Sequence, residues 1–160
     1  MSPRNTRTGA VLETMILPAL KNAGYHHRRQ VNIGRRLGSG GVHLIDALAW
    51  NADTTFLISL KWQQTSGTAE QKVPFEVICL ADAVRSGQRE FGRVYCADCY
   101  ELHAAESVHG LRSYLVLGGE GWSLRDFYTS GGLDRHLVRP ELVHILSLEG
   151  FIARANQRGL

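Results

Sequence analysis

Thr54-Thr55-Phe56-Leu57-Ile58-Ser59-Leu60-Lys61-Trp62 is a run of β-branched, aromatic and aliphatic residues with turn-forming sequence on either side. That composition predicts a buried strand. Side chains alternate across a strand, so Ser59, Lys61 and Gln63 share one face while Ile58, Leu60 and Trp62 share the other. Upstream, Val42–Trp50 reads as a second strand, and Gln30–Ile33 as a third across the turn Gly38-Ser39-Gly40-Gly41. Within the second strand Asp46 stands among Leu44, Ile45, Ala47 and Leu48, thirteen residues before Ser59.

Before these strands, Leu12, Met15, Ile16, Ala19 and Leu20 recur at helical spacing. They predict an amphipathic helix capped at Thr8, bent near Pro18 and closed by Gly24, with Glu13 beside the buried stripe. After them, Phe75, Ile78, Cys79, Ala81 and Val84 predict another helix ending near Gly87. It starts either from a Thr68/Gln71 capping box with Pro74 kinking its second turn, or at Pro74 itself. Strands over Gly92–Asp98 and Ser113–Leu117, a helix-like stretch over Glu101–Val108, and helices near Leu124–Tyr128 and from Pro140 onward complete the expectation. This order predicts an α/β fold, a central mixed β-sheet flanked by helices. A single domain over residues 1–160 is expected, with a core over about 8–118 and a C-terminal helical segment over about 123–160.

The composition, 44% hydrophobic and 21% charged, is that of an ordinary globular chain. A net charge of +3 permits nucleic-acid binding without requiring it. The distribution is more telling: His26, His27, Arg28, Arg29, Arg35 and Arg36 cluster around Val31-Asn32-Ile33 and are candidates for phosphate contact. Three cysteines do not suggest a disulfide framework, and no apolar run of signal-core or membrane-span length follows the polar N-terminus. A reducing, cytoplasmic setting without membrane attachment is the expectation.

A carboxylate and an ammonium are each costly on apolar strands, and together they become reasonable around a phosphate and a metal ion. A divalent cation held by Asp46 and a second carboxylate polarises a phosphate and acidifies its water, while Lys61 stabilises the charge that develops. Magnesium, with manganese as a substitute, suits such an oxygen-rich site.

Glu13, Asp46, Ser59-Leu60-Lys61 and the polar residues after them resemble the PD-(D/E)XK nuclease superfamily, the restriction-endonuclease-like fold, over residues 8–118. The resemblance implies a mixed four-stranded sheet flanked by helices and magnesium-dependent cutting of DNA or, in some members, RNA. Family members usually carry Glu or Asp where this chain has Ser59; some restriction enzymes have serine there and recruit a glutamate from the following helix. Glu70 is the preferred candidate for that role and Glu76 the reserve, while Glu13 resembles the helical acid that completes the metal shell in some members. Gln63 resembles the family's polar residue after the lysine. The resemblance also implies a homodimer or larger homo-oligomer for cutting both strands of double-stranded DNA.

Cys96-Ala97-Asp98-Cys99 followed by His103 and His109 has cysteine spacing that suits zinc, although the gap before His103 is shorter than in a zinc finger. Leu117-Gly118-Gly119-Glu120-Gly121-Trp122 lacks a dinucleotide fingerprint and a phosphate-loop lysine, and reads as a tight exit from a buried strand. Phe127 and Tyr128, with Arg125 and Arg135 nearby, read more readily as core aromatics than as a DNA contact. The expected function is a metal-dependent DNA endonuclease of restriction, homing or phage type. Its rivals are a catalytically silent nucleic-acid-binding protein of the same fold and a zinc-stabilised interaction module.

Overall fold

The structure, a computed structural model, describes residues 6–38, 40–86, 93–100, 102–104 and 110–160. Its centre is a five-stranded mixed sheet of strands β1 (His26–Arg35), β2 (Val42–Trp50), β3 (Thr55–Trp62), β6 (Leu111–Gly118) and β7 (Val143–Ser147), in that spatial order. β1, β2 and β3 are antiparallel neighbours, and β3, β6 and β7 run parallel. Helices cover both faces, giving the expected α/β restriction-endonuclease-like architecture with one strand more than the four of the family core.

One face is covered by α1 (Thr6–Val11), a π-helical turn (Leu12–Ile16), α2 (Leu17–Asn22) and α5 (Leu148–Asn156). Leu12, Ile16 and Leu20 pack there on Phe56, Ile58, Leu60 and Phe151. The bend expected near Pro18 takes the form of this π-turn, in which the Leu17 N–H bonds to the Leu12 carbonyl. The extra residue shifts the helical phase, so Met15, expected in the stripe, is 42% exposed. Thr8 lies inside α1 rather than at its cap. Gly24, at φ 85°, closes α2 as expected: Tyr25 N bonds to Leu20 O and Gly24 N to Lys21 O, the paired bonds of a Schellman motif.

The other face is covered by α3 (Ala69–Arg85) and α4 (Arg125–Thr129). Pro74 lies within α3, so the helix starts after Thr68, but the Thr68 side chain makes no capping bond. Pro74 has no N–H for the Glu70 carbonyl, and Tyr128 Oη donates to that oxygen at 3.0 Å instead. The buried stripe of α3 is Val73, Glu76, Val77, Leu80 and Ala83, with Cys79; Phe75 and Ile78, expected inside, are exposed. The stripe is therefore rotated from the expected one, and Glu76 turns toward the sheet.

Two further expectations need correction. Leu102–Ala104 is a strand (β5) pairing with β4 (Arg93–Tyr95) in a separate ribbon, where a helix was expected. The region from Pro140 is a short 3-10 turn, then β7, then α5, so the C-terminal segment supplies the fifth strand of the main sheet. Gly87 and Gly92 lie outside the described residues, as does Ser39. Among the described residues no helix is long and apolar enough to cross a membrane.

Candidate active site

β2 and β3 are joined by a turn in which Asn51 Oδ1 accepts the N–H groups of Asp53 and Thr54. From there the strands pair from Trp50↔Thr55 to Ala47↔Ile58 and then part. Where Asp46 would meet Ser59, the ladder gives way to a side chain: Asp46 Oδ2 accepts the Leu60 N–H at 2.6 Å. β2 also changes face here, since Ile45 packs with the α3 side and Ala47 and Ala49 with the α2 side. Across from it, Gln30 on β1 has φ 52°, between the paired positions Arg29↔Ala47 and Val31↔Ile45. β3 keeps its other neighbour, pairing with β6 as far as Trp62↔Gly118. A notch lined by Asp46 on one side and Ser59 to Lys61 on the other results.

Glu76 reaches this notch from α3. It is 3% exposed; its Oε1 accepts from Ser59 Oγ at 3.0 Å and lies 3.3 Å from His43 Nε2, and its Oε2 lies 3.4 Å from Arg36 Nη1. Burial pushes the Glu76 carboxyl up, but the His43 hydrogen bond, the Lys61 and His43 charges and the Ser59 hydroxyl outweigh it and hold the group at about 2. Asp46 is shifted the other way. Burial raises its carboxyl, the Leu60 N–H and the Lys61 charge oppose this, and the Glu76 charge adds to it. The charges bearing on Asp46 are thus those of Lys61 and Glu76, which marks the three as one electrostatic unit.

The remaining candidates are placed as follows. Glu70 points away from the sheet: its carboxylate bonds to Ser123 N, to Ser123 Oγ at 2.7 Å and to Leu124 N at 3.1 Å, tying down the start of α4. Glu13 pairs with Arg29, on the helix that covers the opposite face of the sheet. Gln63 shares the Lys61 face, but its Nε2 is bonded to Gly121 O at 2.7 Å and its backbone oxygen to Gly121 N at 2.8 Å. This clasp accounts for the glycine cluster, because a Cβ on Gly121 would lie 2.5 Å from Thr65 backbone atoms and Gly119 has φ 90°. Arg28 and Arg35 are exposed on the edge strand β1, with Arg35 Nη1 3.3 Å from Gly40 O. His43, which no motif singles out, is the site residue that the sequence reading misses; its signal is its place two residues before Ile45 on the inward face of β2. Of the zinc candidates, Cys96 and Cys99 lie together with His26, while the side chain of His103 and all of His109 lie outside the described residues.

The donor set of the notch fits an oxygen-preferring divalent cation. Two largely buried carboxylates stand close enough for the Glu76 charge to disfavour that of Asp46, and Asp46 keeps one oxygen outside its Leu60 bond. Asp46 and Glu76 are the residues that would hold it.

In comparisons with known proteins, no curated protein matches the chain. A family model described as the PD-(D/E)XK nuclease superfamily domain matches residues 4–159. The mixed sheet, the parted strands and a match spanning nearly the whole chain lead to one conclusion: the chain belongs to the PD-(D/E)XK nuclease superfamily.

Proposed function

We propose that this nuclease is a magnesium-dependent DNA endonuclease whose active site is the notch between β2 and β3. The observation that carries the reading is the convergence of Asp46, Glu76 and Lys61 on one site, with Glu76 hydrogen-bonded to the serine that stands where the family usually has an acid. Asp46 and Glu76 hold the cation; Glu13 and Glu70, each engaged elsewhere, take structural roles. The bound ion supplies charge neutralisation at the phosphate and acidifies water.

The chain's own residues do the positioning. Leu60 N–H fixes the Asp46 carboxylate, and Ser59, His43 and Arg36 fix that of Glu76, so both acids are set in place before substrate arrives. The Lys61 ammonium faces the charge that develops on the phosphate oxygens as water adds to phosphorus and the leaving oxygen departs. Gln63, clasped by Gly121, holds the end of β3 in place behind Lys61. Arg28 and Arg35 on the edge strand contact the DNA backbone, and two copies of the chain act together on double-stranded DNA.

The test is cleavage of plasmid, linear, single-stranded and branched DNA in magnesium or manganese, comparing wild type with Lys61→Ala and Glu76→Gln. Metal-dependent cutting that falls by about a hundredfold or more in both variants is expected. Cutting that survives both substitutions overturns the assignment.

A further inference from the structure

The strand-linked cysteine pair lies outside the notch, at the other end of β1. Cys96 is buried, and Cys99 closes a turn whose N–H donates to Cys96 Sγ at 3.4 Å. On the far side of that turn is His26, the first residue of β1, with its Nδ1 3.5 Å from Cys99 Sγ. The two sulfurs and a ring nitrogen all lie within 4.8 Å of one another.

We infer that His26, Cys96 and Cys99 bind a structural zinc ion that pins the Cys96–Cys99 turn to the edge strand β1. One edge of the cluster matches the metal's own shell. Zinc–sulfur bonds of about 2.3 Å and zinc–nitrogen bonds of about 2.0 Å at tetrahedral angles put a sulfur and a nitrogen roughly 3.5 Å apart. The His26–Cys99 distance equals that edge. A backbone N–H directed at the first sulfur of a C-x2-C turn stabilises a thiolate, the form that ligates metal. The imidazole ring is held in place by stacking on Trp50 at a centroid distance of 5.6 Å.

The surroundings are built to hold the turn in place. Ala97 N bonds to His27 O at 2.9 Å, Asp98 Oδ2 lies 2.7 Å from His27 Nε2, and Lys21 Nζ lies 3.5 Å from Asp98 Oδ1. Each ligand is thereby flanked by a contact that joins the turn to β1 or to α2. Among the described residues three donors gather here, and a tetrahedral site takes a fourth from water or a further side chain. The histidine beside the sulfurs comes from a strand seventy residues upstream of the C-x2-C pair, a donor that local spacing does not point to.

The full chain, purified without chelator or metal-affinity resin, is assayed for zinc, and its cobalt-substituted form for absorption. Stoichiometric zinc is expected, with thiolate-to-cobalt charge transfer and tetrahedral d–d bands. Zinc should be lost in Cys96→Ser, Cys99→Ser and His26→Gln but retained in Cys79→Ser, whose buried thiol is on α3. If the ligand variants fail to fold, the wild-type cobalt spectrum and a lowered Tm in chelator decide. Substoichiometric zinc, a cobalt spectrum without thiolate bands, zinc retained in a folded His26→Gln protein, or a Cys96–Cys99 disulfide in the alkylated native protein each overturn the inference. None of these readouts depends on nuclease activity.

Discussion

Burial raises the carboxyl pKa of both Asp46 and Glu76, but their partners differ. Glu76 ends far below its ordinary 4.5, at about 2, so the folded state binds fewer protons than the unfolded chain between those values. Its stabilising contribution is complete above pH 4.5 and is lost as pH falls toward 2. Glu76→Gln should therefore flatten the acid limb of the stability curve measured by denaturant titration over that range. Asp46 has the opposite sign. Its folded pKa lies above the ordinary 3.8, so ionising it costs stability, and that cost grows as pH rises from 3.8 through the folded pKa. Asp46→Asn keeps an acceptor for the Leu60 N–H and removes the charge. The metal-free variant should melt higher than wild type at pH 7 while losing cleavage, and magnesium should raise the Tm of wild type but not of the variant.

In α3, Pro74 leaves the Glu70 carbonyl without its helical partner, and Tyr128 from α4 supplies one. Tyr128→Phe should cost about 1 kcal/mol in denaturant unfolding. Adding Pro74→Ala, which restores the N–H, should recover much of that loss. At the same helix end, Glu70→Ala should lower stability by releasing the start of α4 yet leave metal-dependent cutting intact, whereas Glu76→Gln should lower cutting by about a hundredfold or more. Element by element, legibility followed how far local pattern decides structure. β2 and β3 were readable because β-branched runs between turns admit one reading, and the shared face of Ser59 and Lys61 follows from strand alternation alone. The phase of α3 was not: Phe75 and Ile78 are as apolar as Val73 and Val77, and packing against Leu57 and Leu115 chooses between the two stripes. That choice turns Glu76 toward Ser59, a contact decided by tertiary packing that local sequence does not mark. β7 was hidden for a related reason, since Leu142-Val143-His144-Ile145-Leu146 is a short apolar run whose period fits strand or helix equally. The parting of β2 from β3 depends on tertiary pairing and leaves no local mark beyond an acid among apolar residues.

At the scale of the whole molecule, a net charge of +3 says little, but its distribution separates the arginines of β1, and Arg36 just after it, into two kinds. Arg29 and Arg36 are each ion-paired within the fold, to Glu13 and Glu76. Arg28 and Arg35 are exposed on the edge strand and available to phosphates. DNA affinity should therefore fall with salt, and the slope of log K against log salt should shrink by about 0.9 for each phosphate contact removed. Measured by fluorescence anisotropy on duplex DNA in calcium, Arg28→Gln and Arg35→Gln should each reduce the slope by roughly that amount without changing protein stability. Arg36→Gln should behave differently. It removes one of the cations beside a buried carboxylate, so it should lower stability and cutting rate while changing the salt slope little. Equal slope changes for all three substitutions would instead make residues 28–36 a uniform phosphate-binding strip, and Arg36 a DNA contact rather than a partner of Glu76.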